Sequence, residues 1–64
     1  LPRRRALVAE MARLVEKLST LIASHREELA EECSARGLYQ EARRHWDVAD
    51  LYRALADSEM ETAQ

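Results

Sequence analysis

Sixty-four residues carry 12 acidic and 10 basic side chains, for a formal net charge of −2, with one glycine, one proline and one cysteine among them. A chain this short makes one domain at most and buries only about 60% of its unfolded surface, so it usually needs a staple or a partner. A single cysteine excludes an internal disulfide and fits a reducing, cytoplasmic setting, and no apolar run reaches the roughly 20 residues of a membrane span. With no phenylalanine and abundant Ala, Leu, Glu and Arg, the composition is that of an all-α hairpin or bundle.

Pro2 is tolerated in the first turn of a helix. From there Val8, Val15, Ile22 and Leu29 recur every seven residues, with Met11 and Leu18 between them and Leu7, Leu14 and Leu21 flanking the same face. This stripe is wider than a two-stranded seam requires and predicts a bundle-forming helix from about Arg3 to Arg36. Ser24-His25-Arg26-Glu27 has the Ser-x-x-Glu form of a capping box, which would start a new helix at that point. No glycine or proline accompanies it, so a continuous helix is favoured.

Gly37 is the only glycine, and it stands between two long stretches of helix formers. That placement predicts a left-handed C-terminal cap, with Leu38 supplying the apolar contact that often accompanies it. The chain then returns in a second helix from about Tyr39 to Met60. Along it Ala42, Ala49, Ala56 and Ala63 recur every seven residues, interleaved with Leu38, His45 and Tyr52. Small residues in such a row let two helix backbones approach closely. Trp46, Val48 and Leu55 widen the apolar face.

Charge is unevenly distributed. Residues 1–26 hold six basic and two acidic side chains, and residues 45–64 hold five acidic and one basic. An antiparallel hairpin about Gly37 sets these ends side by side, with Lys17 expected near Asp57 and Arg13 near Glu61. Each exposed pair is worth only about 0–1 kcal/mol, so such pairs set orientation more than stability.

The run Gly37-x-Tyr39-x-x-Ala42-x-x-x-Trp46-x-x-Ala49 resembles the second half of a tetratricopeptide repeat in its spacing of small and aromatic positions. Leu29-Ala30 falls where that repeat carries Leu-Gly, and Cys33 where it carries an aromatic. The resemblance covers about residues 26–55. Arg26 stands where a tryptophan is usual, and Ala54 where a proline usually closes the repeat. At least three repeats normally stack, so the resemblance implies one helical hairpin used in protein contacts, not a repeat array. The Gly-Leu-Tyr-x-x-Ala-Arg-x-x-Trp run is also similar to small helical virulence regulators of Gram-negative bacteria. The hairpin layout is similar to the small co-chaperones of type III secretion needles. Both likenesses imply a bacterial protein.

Cys33, Glu41 and His45 form a conceivable metal site across the turn. It lacks a second cysteine and any i,i+4 histidine pair, so the expectation is no metal and no cofactor, with His25 and His45 as interfacial side chains. No catalytic constellation has a cleft to work in, because a two-helix hairpin has little concavity; an enzyme is not expected. Arg3, Arg4 and Arg5 are possible phosphate contacts, set against an acidic chain. The expected function is a protein–protein interaction module, a small adaptor or chaperone-like hairpin. Its interface would comprise Val8, Met11, Val15, Leu18, Ile22 and Leu29 from the first helix and Tyr39, Trp46 and Tyr52 from the second. The expected partner is a second copy, forming a homodimeric four-helix bundle, or another helix. The alternative is a small nucleic-acid-associated regulator using the three arginines.

Overall fold

The computed structural model describes residues 2–63; of Pro2 and residues 62 and 63 only the backbone is described. Two helices pack antiparallel: α1 spans Pro2–Ala35 and α2 spans Tyr39–Ala63. There is no strand among the described residues. α1 runs unbroken through Ser24-His25-Arg26-Glu27, so the capping-box sequence lies inside a helix and caps nothing. α2 continues three residues past Met60, since Glu61, Thr62 and Ala63 include no helix breaker.

The turn is a full left-handed cap. Gly37 has φ +80°. Leu38 N–H donates to the Cys33 carbonyl at 2.8 Å and Gly37 N–H to the Ser34 carbonyl at 3.0 Å. These are the two bonds of a Schellman motif, and they satisfy carbonyls that the end of α1 would otherwise leave open. Leu38 then opens α2, its carbonyl accepting from Ala42 N–H at 2.9 Å. Glu41 in the first turn of α2 places negative charge on the positive end of that helix. A β-carbon on Gly37 would meet nothing within 4 Å, so only the backbone conformation resists a side chain there. Gly37→Ala is therefore expected to cost roughly 1 kcal/mol, read as a lower melting temperature by circular dichroism. A higher melting temperature would mean that the turn is not where the chain bends.

The seam is made of small side chains. Ala23, Ala30 and Ala49 are fully buried, and Ala12, Ser19, Ala42 and Ala56 nearly so. On α1 a row of buried or half-buried positions, Ala9, Ala12, Glu16, Ser19, Ala23, Arg26, Ala30 and Cys33, is spaced alternately by three and four residues. On α2 Ala42, His45, Ala49, Tyr52, Ala56 and Glu59 do the same. This is the heptad geometry of an antiparallel coiled coil, with alanine where leucine usually stands. The body measures 54 × 13 × 12 Å, a cross-section of two helices in close contact. No large side chain is fully buried among the described residues.

The expected row Ala42, Ala49 and Ala56 is thus the α2 side of the seam; the side chain of Ala63 lies outside the described residues. The α1 side is a different row from the large apolar stripe. The ion pairs also differ from expectation. Lys17 does not pair with Asp57, nor Arg13 with Glu61; among the described residues the pairs are Glu32–Arg36, from the last turn of α1 to the residue just past its end, and Glu27–Arg53 between the helices. Arg53 reaches across to Glu27 because the close seam brings the flanking positions of the two helices within one side-chain length.

Candidate docking face

With alanine filling the seam, the large apolar side chains of α1 are left outside. Leu7, Val8, Met11, Leu14, Val15, Leu18, Leu21 and Ile22 are all exposed, Met11 to 64%, Leu18 to 58% and Leu21 to 66%. They occupy three adjacent heptad rows over residues 7–22, a strip about 22 Å long. Isolated exposed leucines need no explanation, but a contiguous strip of this extent marks an interaction surface. Leu29, the last member of the predicted row, is half-buried.

The two long edges of the hairpin differ in chemistry. Glu27 and Arg53 each lie four residues after a seam alanine, Ala23 and Ala49, and their contact identifies that edge. Arg53 also donates to Ser24 Oγ at 3.4 Å. The hydrogen bond and charge of Glu27 raise the Arg53 pKa above its ordinary value, with a smaller push from Asp57. Trp46 lies one heptad before Arg53 and shares this polar edge, part-exposed. On the other edge stand residues that immediately precede seam positions: Val15, Ile22 and Leu29 from α1, Val48 and Leu55 from α2. The apolar strip of α1 is therefore continuous with the apolar edge and separate from Trp46. Of the other aromatics expected at the interface, Tyr39 is exposed at the start of α2 and Tyr52 is half-buried in the seam row.

Near the turn, Arg26 reaches out of the seam and donates to His45 Nδ1 at 3.1 Å. Arginine has no acceptor, so His45 carries its proton on Nε2 in this arrangement. Arg26 and His45, with Glu41, Arg44 and Val48, line an open hollow of about 340 Å³. Cys33 is a half-buried free thiol. Cys33, Glu41 and His45 are not brought together, and no group of three His, Cys, Asp or Glu side chains is placed to hold a metal among the described residues. No helix among the described residues is long and apolar enough to cross a membrane.

At the free end, α1 outruns α2: its 34 residues against 25 extend about 13 Å further at 1.5 Å per residue. Arg3, Arg4 and Arg5 lie on this extension and are exposed. The residues that sequence reasoning missed are the α1 seam positions Ala12, Ser19, Ala23 and Ala30. Their signal was present as two small-residue steps of seven, Ala12 to Ser19 and Ala23 to Ala30. Comparison with known proteins returns no matching family model, curated protein or solved structure.

Proposed function

We propose that this chain is a non-enzymatic protein–protein interaction module, whose work is done by the exposed apolar face of α1. The observation that carries the reading is the division of labour within α1. Small residues fill the seam of the hairpin, while none of the eight large apolar residues from Leu7 to Ile22 is among its buried side chains. Burying a leucine side chain is worth about 1.5–3 kcal/mol, against about 0.8 kcal/mol per methylene-sized group for an alanine seam. Most of the apolar burial open to this sequence therefore lies in association. A cytoplasmic two-fold assembly of two hairpins into a four-helix bundle is the simplest form of it, since isologous pairs are the commonest oligomers.

Light scattering coupled to gel filtration, over a concentration series, tests the reading. The chain is expected at twice the mass of a single copy. Leu18→Glu, at a position already exposed within the hairpin, should return it to a single copy with its helicity retained at high protein concentration. A wild-type chain that stays at single-copy mass throughout would overturn self-association.

A further inference from the structure

The apolar strip of α1 carries a charge at each end, and the two charges are opposite. Arg4 lies seven residues before Met11 and continues the Met11–Leu18 row towards the N-terminus; Arg3 and Arg5 adjoin it in sequence on either flank, Arg5 on the line of the Ala12–Ser19 seam row. Glu28 lies seven residues after Leu21 and continues the Leu14–Leu21 row at the other end, with Glu31 one turn beyond. All five are exposed. Two neighbouring glutamates are already engaged, Glu27 by Arg53 and Glu32 by Arg36. Glu28 and Glu31 enter no ion pair among the described residues.

A strip that is positive at one end and negative at the other complements itself only when turned end for end. A parallel pair would set three arginines against three arginines and Glu28 against Glu28, an arrangement that costs affinity at both ends. The spacing agrees with the antiparallel choice. Setting Val15 of one copy opposite Leu18 of another places Met11 opposite Ile22 and Arg5 level with Glu28. The same contacts then repeat about a two-fold axis.

The geometry points to a second copy of this chain as the occupant of the face, an inference that rests on the interaction-module reading above. The copies pair α1 against α1, antiparallel, with the N-terminal arginines of each against Glu28 and Glu31 of the other. Replacing Arg3, Arg4 and Arg5 together with glutamate should weaken the pair by about tenfold or more, and Glu28→Lys with Glu31→Lys should do likewise. Mixing the two variants should restore the affinity as a mixed pair. Orientation is read separately, from a nitroxide on Ala6→Cys in a Cys33→Ser background. The antiparallel pair puts the two labels about 30 Å apart, and a parallel pair puts them within about 20 Å. A two-copy assembly with the short distance, or one indifferent to both charge reversals, overturns this inference and leaves the interaction module standing. A chain that never leaves single-copy mass overturns this inference together with self-association.

Discussion

Ala49→Leu is expected to destabilise the hairpin by about 1–3 kcal/mol, because the added atoms have no space between the two backbones. Ala49 is fully buried at the centre of the α2 row, and the seam opposite it is closed by other small side chains. A branched four-carbon side chain must push the helices apart, and that costs contacts at Ala42 and Ala56 as well. In a domain of this size each kcal/mol moves the melting temperature by roughly 4–8 °C, so thermal unfolding followed by circular dichroism resolves the change. Leu51→Ala is the matched control: Leu51 is 71% exposed, and its loss should stay within about 0.5 kcal/mol. Both variants must be compared at one protein concentration, since association shifts apparent stability by mass action. An unchanged melting temperature for Ala49→Leu would show that the helices do not meet through this row.

His25→Pro is expected to cost about 3 kcal/mol or more. His25 lies near the middle of α1, exposed and far from either end. Proline there removes an amide donor from the helix ladder and drives its ring into the carbonyl one turn back, at Leu21. The position also tests the continuity of α1. Were Ser24 the cap of a separate helix, residue 25 would be its first helical position, where proline has no hydrogen bond to lose and its fixed φ suits the backbone. A variant that melts within a degree or two of the parent would require α1 to break at Ser24. A large loss accords with one helix of 34 residues.

The turn and the two-helix layout were legible because they depend on local chemistry. One glycine among helix formers leaves the backbone only one place to enter the left-handed region, and Gly37 does so with both hydrogen bonds of its cap formed. The alanine row of α2 was equally legible, since Ala42, Ala49, Ala56 and Ala63 repeat without a break along the helix. α1 was ambiguous. It holds two seven-residue patterns at once, a large one through Val8, Val15 and Ile22 and a small one through Ala12, Ser19, Ala23 and Ala30. Periodicity alone favours the larger as a core, because more apolar area per residue means more burial free energy.

Which pattern faces α2 was decided only in the tertiary structure. A row of alanines on α2 can fill the gap to its neighbour only if the backbones come close, and they come close only where the facing row is also small. That condition selects Ala12, Ser19, Ala23 and Ala30, and it turns the large stripe of α1 to the outside. The same closeness lets Arg53 reach Glu27 on the other helix. The sequence by itself determined two helices, their turn and an amphipathic surplus of large apolar residues. The pairing of small row with small row determined where that surplus points, because the partner's side-chain size sets the interhelical distance and no property of α1 alone can set it.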